Sequence, residues 1–100
     1  MDIETDNQTI TIQIREHASI TIQNLNSPSF AFVGDDFHIT YDAVNNGGEQ
    51  NCYCKVMEGT TQLDRIEMVI GGNSTVAIDH LLNFSTNGNK TLVVEVGYVE

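Results

Sequence analysis

Short segments in which apolar and polar residues alternate, separated by clusters of turn residues, constrain this chain more than any other feature. The clearest segment runs from Phe37 to Ala43, where every second residue is apolar. Because successive side chains of a β-strand point to opposite faces, this period of two predicts a half-buried strand. Similar segments recur at a spacing of roughly ten residues, which is typical of all-β sandwiches.

The alternating segments and the turns between them predict an all-β chain of about seven strands. Glycine, asparagine and aspartate fill the turns, where they tolerate positive φ angles. The predicted strands cover approximately residues 9–14, 19–23, 37–44, 50–57, 62–70, 76–78 and 90–99. Residues 80–84 lack a clean period, and we expect a crossing loop or a single helical turn there. The number and even spacing of the strands indicate a Greek-key β-sandwich.

The beginning of the chain repeats the pattern of a later segment. The sequence Ile-Thr-Ile-Gln occurs at 10–13 and again at 20–23. One interpretation is a coincidence in a composition rich in β-forming residues. The other interpretation divides the chain into an N-terminal arm or extra strand, residues 1–17, and a sandwich domain, residues 18–100. We refer to residues 1–17 as the arm.

The arm carries three alternating isoleucines, Ile10, Ile12 and Ile14. An alternating strand of this kind can add to the open edge of a neighbouring sheet, where unpaired backbone groups accept it. Residues 1–9 hold three acids and few residues that can pack, so the arm should order only against a neighbouring subunit. We therefore predict that the three isoleucines form an interface and that the chain associates with itself through the arm.

The acidic balance of the chain argues against two classes of partner. Fourteen acids stand against four bases, which gives a formal net charge of −10. Such a chain lacks the basic surface that neutralises nucleic-acid phosphates, and it is repelled by anionic membranes. No apolar run approaches the roughly 18 residues of a membrane-spanning helix. Met1–Ile14 also lacks the basic and apolar regions of a signal peptide, so we expect neither membrane insertion nor a signal peptide in this chain.

Cys52 and Cys54 are two positions apart on a predicted strand, so their side chains share a face. Their Cα atoms should lie near the upper limit for a disulfide, and we expect free, partly buried thiols. Two thiols on one face could also donate soft ligands to zinc or copper, with His38 or His80 completing the set. We favour the interpretation as small apolar core residues, and we expect no cofactor.

Asp35 and Asp36 are the second candidate metal ligands. Together with Asp42 and Glu49 they could hold calcium at a loop end, because calcium prefers hard carboxylate oxygens. The four acids do not follow the spacing of a known calcium-binding loop. We therefore favour a solvated acidic edge at these positions over a metal site.

The three histidines do not form a recognisable catalytic pattern. His17, His38 and His80 are scattered along the chain, and His38 lies on the polar parity of its strand. His80 follows Asp79, which could orient its ring. Neither a serine motif nor a glycine-rich phosphate loop accompanies this pair. We expect no enzymatic activity.

From Ser19 onward the chain resembles the immunoglobulin-like modules of bacterial and archaeal surface proteins, most closely the CARDB (cell-adhesion-related domain) type. The resemblance covers about 80 of the 100 residues. It depends on the order of these elements: Gly34-Asp35 before the strand Phe37–Val44, then Asn45-Asn46-Gly47, Met57-Glu58-Gly59, Gly72-Asn73-Ser74 and a terminal strand in Lys90–Val99. The resemblance implies a two-sheet immunoglobulin-like sandwich and a structural or adhesive role, without shared catalytic residues.

These observations lead us to expect a non-enzymatic structural or adhesive module of a larger extracellular, cell-surface or virion assembly, with other protein subunits as its partners. A small capsid-decoration or tail protein, present in many copies, is one alternative. A calcium- or carbohydrate-binding module is another. The chain has no tryptophan and seven other aromatic residues, which we expect to lie mostly in the core, and this lowers the case for a sugar platform.

Overall fold

The computed structural model describes residues 1–100 and contains six β-strands and no helix. The strands are β1 (Ile20–Asn26), β2 (Phe37–Asn45), β3 (Gln50–Glu58), β4 (Thr61–Ile70), β5 (Ser74–Leu82) and β6 (Val93–Tyr98). The all-β prediction is confirmed, with one strand fewer than expected.

The strands form two three-stranded sheets, ordered β1-β2-β5 and β4-β3-β6. Every pairing within them is antiparallel. Across the sandwich, β4 contacts β5 on one long side and β1 contacts β6 on the other. The central strands are therefore β2 and β3, and the other four strands each have one free edge.

The core lies between the inner faces of β2 and β3, where alternate residues are buried. The fully or nearly fully buried apolar residues of these strands are Ile39, Tyr41, Ala43, Cys52, Cys54 and Val56. Each large apolar side chain removed from water contributes about 1.5–3 kcal/mol to folding. The alternation seen in the sequence therefore sets which face of each central strand points inward, and the two cysteines face the core as predicted.

The two ends of β2 define the two poles of the sandwich. Asn45 lies at the arm pole, and β1 begins there because Ile20 is the register partner of Asn45. Phe37 lies at the distal pole, opposite Leu82 at the end of β5. β6 runs from the distal pole to the arm pole, since it pairs antiparallel with β3, which starts at the arm pole.

Asn45 is a fully buried polar residue that joins elements at the arm pole. Its Nδ2 donates to the carbonyl oxygens of Gly48 at 3.0 Å and Ile70 at 3.1 Å. Its Oδ1 accepts from the backbone N–H groups of Ser19 at 3.1 Å and Gly47 at 2.9 Å. One side chain thus ties the start of β1 and the β2–β3 loop to the end of β4 in the other sheet, with its hydrogen-bonding groups satisfied.

The chain between the arm and β1 is anchored at the same pole. The Gly48 N–H donates to the His17 carbonyl at 3.2 Å, and the His17 ring stacks on Tyr98 with 4.5 Å between ring centroids. A Cβ atom at Gly47 or Gly48 would collide with the carbonyl oxygens of His17 and Glu16. The two glycines are therefore required by the close approach of the two backbones.

The strand predicted for residues 9–14 is not formed in the single chain, which accounts for the missing strand. Residues 1–19 belong to no strand. A strand needs a neighbour that satisfies its backbone N–H and C=O groups, and no strand of the same molecule pairs with this segment. The segment is therefore not a strand in the single chain, and its ordering against a neighbouring subunit stays a prediction.

The loop or helical turn predicted for residues 80–84 is wrong at its start, because β5 continues to Leu82. His80 faces the core and is fully buried, whereas Leu81 faces outward and is 54% exposed. The usual pattern of apolar inside and polar outside is inverted at these two residues, which hides the strand in the sequence. The terminal strand is shorter than predicted and begins at Val93.

Candidate functional site

The core contains a chain of three polar side chains that crosses from one sheet to the other. His80 of β5 places its Nδ1 atom 2.7 Å from Oδ2 of Asp64 in β4. Its Nε2 atom lies 2.7 Å from the hydroxyl oxygen of Tyr41 in β2. We call Asp64, His80 and Tyr41 the polar bridge. It lies on the β4–β5 side of the sandwich and joins the two sheets there.

Strand alternation places Asp64 on the inner face of β4. Asp64 is the register partner of Val56 and shares the parity of Ile66, Met68 and Ile70. The ladder between β3 and β4 shifts only beyond Asp64, where Leu63 is the extra residue of a β-bulge. An acidic residue therefore reaches the edge of the core, where His80 meets it.

The acid–base properties of the polar bridge follow from its geometry. A carboxylate can only accept, so Nδ1 of His80 donates its N–H to Asp64, and in the neutral ring Nε2 accepts from the Tyr41 hydroxyl. Burial raises the pKa of Tyr41 well above its usual range, with the neighbouring Cys54 and Asp64 adding to the effect. The hydroxyl therefore keeps its proton. Tyr41 and His80 are both buried, whereas the Asp64 side chain is 34% exposed, so the bridge joins the two sheets and reaches solvent through its carboxylate.

The two cysteines lie beside this bridge as free thiols. Burial raises the pKa of Cys54, although the Tyr41 hydroxyl opposes the shift. Burial also raises the pKa of Cys52, whose thiol donates to the Gln50 carbonyl at 3.3 Å. Metal binding requires thiolates, and raised pKa values disfavour them. No group of three or more histidine, cysteine or acidic residues in the structure is arranged to hold a metal ion.

The histidines discussed as further ligands lie apart from the thiol pair or are otherwise engaged. His38 is exposed on the outer face of β2, where its Nδ1 lies 2.7 Å from Oδ1 of Asp79. The pairing of Asp79 with His80 that the sequence allowed is not formed, because adjacent residues of a strand point to opposite faces. His80 takes its carboxylate partner from β4 instead.

The four acids considered for calcium are spread over the molecule. Asp35 and Asp36 lie at the distal pole before β2, where the Asn83 amide donates to Asp36 at 2.9 Å. Asp42 lies within β2 and accepts from the Asn24 amide at 2.8 Å. Glu49 lies at the arm pole, beyond the other end of β2. The structure therefore does not bring these acids together.

The arm exposes the apolar stripe that the sequence indicated. Ile10, Ile12 and Ile14 are 78%, 69% and 88% exposed. The molecule measures 78 × 25 × 16 Å. An extended arm that pointed sideways would widen the two short dimensions, so the arm runs along the long axis. The arm therefore projects from the arm pole, away from the sandwich.

A second exposed apolar surface lies at the distal pole, between the end of β1 and the start of β6. It is a groove of about 580 Å³. Its main apolar residues are Leu25, Phe30, Phe32, Phe37, Phe84 and Val94, and we call it the apolar groove. Phe30 and Phe32 are 72% and 70% exposed and meet edge to face with 5.7 Å between ring centroids.

Sequence reasoning missed the apolar groove. The expectation that the aromatic residues lie mostly in the core is wrong for Phe30 and Phe32. The one available signal is the run Phe30–Val33, which is apolar yet lies in a loop between Pro28 and the Gly34 turn. Strand alternation does not direct the side chains of a loop into the core. A run of apolar residues in a loop therefore indicates an exposed interaction surface.

Comparison with known proteins finds no matching family model, curated protein or solved structure. None of the elements is a helix long and apolar enough to cross a membrane. The interpretation of the exposed surfaces therefore depends on the geometry and chemistry of the chain itself.

Proposed function

We propose that this chain is a non-enzymatic structural or adhesive module of a larger extracellular or virion surface assembly, and that it acts through protein–protein contacts. The observation that carries the proposal is the stripe of three exposed isoleucines on an arm that has no strand partner. Burying one such side chain contributes about 1.5–3 kcal/mol. Contiguous exposed apolar surface of this kind marks interaction sites in soluble proteins.

The proposal includes an immunoglobulin-like topology, with the CARDB type as the nearest family. Support comes from the distribution of strands, because the first, second and fifth strands share one sheet and the third, fourth and sixth share the other. This is the distribution of strands A, B and E and of strands C′, C and F in immunoglobulin-like sandwiches. In this assignment no strand of the structure occupies the position of G, which lies beside F.

Two settings fit this role. In a cell-surface or secreted protein the module is one bead of a longer structure, and its contacts are with neighbouring domains. In a virion it is a capsid-decoration or tail protein in many copies. The exposed arm favours the setting with many copies, because a stripe on a projecting segment can reach a second molecule.

The mass of the full-length chain in solution tests the proposal. Sedimentation velocity and native mass spectrometry over a wide range of concentration should show species of more than one chain, growing with concentration. The far-ultraviolet circular dichroism of each sample should remain that of a β-protein. A chain that stays monomeric at every concentration, with the arm intact, would contradict the proposal for self-association through exposed surfaces.

A further inference from the structure

The β1–β6 side of the sandwich lacks a strand at one edge. β6 has β3 as its one neighbour in the sheet, so its other edge carries backbone N–H and C=O groups without strand partners. The apolar groove opens beside this edge, between Leu25 at the end of β1 and Val94 near the start of β6. A seventh strand laid along β6 would hydrogen-bond to the free backbone groups of β6 and would also cover the groove.

The apolar groove reaches the core. Ile39, a core residue that is 4% exposed, lines the groove together with Phe37 and Val94. Strand alternation places every second side chain on the same face. A strand added beside β6 would therefore direct alternate residues at Ile39 and its neighbours and would complete the core at the distal pole.

The arm has the sequence such a strand requires. Its Ile10-Thr11-Ile12-Gln13 segment repeats the start of β1, where Ile20 and Ile22 already pack against the core. The same apolar residues at the same spacing can pack against the same kind of surface. Ile14 extends the stripe by one further position.

The direction of the strands selects an arm from another copy. β6 runs from the distal pole to the arm pole. If the arm folded back onto its own sandwich, it would run toward the arm pole and lie parallel to β6. An arm entering from a second copy stacked on the distal pole would run the opposite way and pair antiparallel. Every strand pair in this molecule is antiparallel, and antiparallel pairing is slightly more stable per residue.

Charge also favours the arm as occupant. Fourteen acids are spread along the chain, yet the residues that line the apolar groove include Lys90 and no acid. Residues 8–15 of the arm hold one arginine and no acid. The groove and the segment that enters it both lack acids, so the contact avoids direct repulsion between carboxylates in this acidic chain.

We propose that residues 8–15 of one copy form a seventh strand beside β6 of the next copy, with Ile10, Ile12 and Ile14 in its apolar groove. The inference rests on the proposed function and names its partner as a second copy of this chain. Each copy gives its arm at one pole and accepts an arm at the other, so the contact is heterologous. Contacts of this kind build open filaments or rings rather than closed pairs.

Two full-length variants test the contact from each side. The arm variant replaces Ile10, Ile12 and Ile14 by Asn, and its control replaces Thr11 and Gln13 on the opposite parity by Asn. The groove variant carries Leu25→Glu and Phe30→Glu at exposed positions, and its control carries Val69→Glu and Leu81→Glu on outer strand faces that are similarly exposed. Circular dichroism and thermal unfolding establish that all four chains fold.

The arm and groove variants should each remain monomeric, with association weakened at least about a hundredfold. Both controls should assemble like the unaltered chain. A mixture of the arm variant, which keeps its groove, with the groove variant, which keeps its arm, should give a species of two chains and nothing longer. This result would support the inference, because each partner can make one contact.

Three other outcomes would overturn the inference in distinguishable ways. If the arm variant assembles like the unaltered chain, the seventh strand is wrong while the proposed function survives. If no version of the chain assembles, the seventh strand and the setting with many copies both fail. If every chain is monomeric and the arm variant alone unfolds more easily than its control, the arm binds its own sandwich and the head-to-tail contact is wrong.

Discussion

On the β4–β5 side of the sandwich, which we call the closed side, the polar bridge joins the two sheets. On the β1–β6 side, which we call the open side, the core is continuous with the apolar groove. The closed side uses a histidine whose two ring nitrogens both have partners, 2.7 Å away in each case. The open side exposes aromatic and aliphatic residues and a free strand edge. Hydrogen-bonded polar side chains thus hold the two sheets together within one chain. On the other side, exposed apolar surface remains where a strand of a second chain can bind.

The largest effect should come from breaking the closed side. We expect His80→Ala to lower the free energy of unfolding by about 3–5 kcal/mol. The substitution leaves a cavity, and it removes the hydrogen-bond partner of the Tyr41 hydroxyl and of the Asp64 carboxylate. Urea unfolding at neutral pH measures the change. The matched control is His38→Ala, which removes an exposed pair with Asp79 and should cost about 0.5 kcal/mol or less. Equal effects of the two substitutions would show that the polar bridge does not hold the sheets.

A second large effect is expected at the arm pole, where Asn45 also joins the two sheets. Asn45→Asp replaces the amide that donates to Gly48 and Ile70 by an oxygen that cannot donate, and it buries a charge. We expect a loss of about 2–4 kcal/mol. Asn46→Asp, at the exposed neighbouring position, is the control and should change stability by less than about 0.5 kcal/mol. Similar losses in both variants would contradict the assigned role of the side chain.

Alkaline pH should lower the free energy of unfolding because of the two buried thiols. Burial raises the pKa of Cys52 and Cys54 above the ordinary value of 9.0, so the folded state keeps protons that the unfolded state releases. Stability is therefore unaffected below that value and falls as pH rises above it, by at most about 1.4 kcal/mol per pH unit for each thiol.

Unfolding curves measured across the alkaline range check this prediction. Replacing both cysteines by Ala should flatten the decline just above pH 9.0, the ordinary thiol pKa, whatever the cost of the substitutions at neutral pH. An unchanged slope in the double variant would mean that other groups cause the alkaline loss.

The smallest effect on folding should come from the open side. Ile12→Asn and Leu25→Glu alter side chains that are 69% and 57% exposed, so we expect changes within about 0.5 kcal/mol in the stability of the single chain. Thermal unfolding of dilute samples measures this. A loss as large as that of His80→Ala would show that these residues already pack within one chain, and the contrast between the two sides would disappear.

The sequence predicted the parts of the fold in which apolar residues face inward at every second position. β2 and the buried face of β3 follow from clean alternation. The alternating isoleucines of the arm lie in no strand of the single chain, and their role as an interface stays a prediction. The end of β5 does not, because His80 is buried while Leu81 faces solvent. Only the distant partners of His80, which lie on β2 and β4, make its burial favourable.

Alternation also places Asp64 on the inner face of β4, because it shares the parity of Ile66, Met68 and Ile70. One feature of the site depends on geometry that periodicity does not record. The apolar groove depends on loops that gather Phe30 and Phe84 at one pole. Alternation fixes the face of a residue on a strand, but it says nothing about where a loop places an aromatic ring.

Hydrogen exchange of the full-length chain, compared between dilute and concentrated samples, tests the central claim most directly. We predict that backbone amides of residues 10–14 and of β6 gain protection together as the chain associates, while amides of β5 at the closed side do not change. Association that protects β4 or β5 and leaves the arm exchanging freely would contradict the claim that the arm of one copy completes the open side of the next.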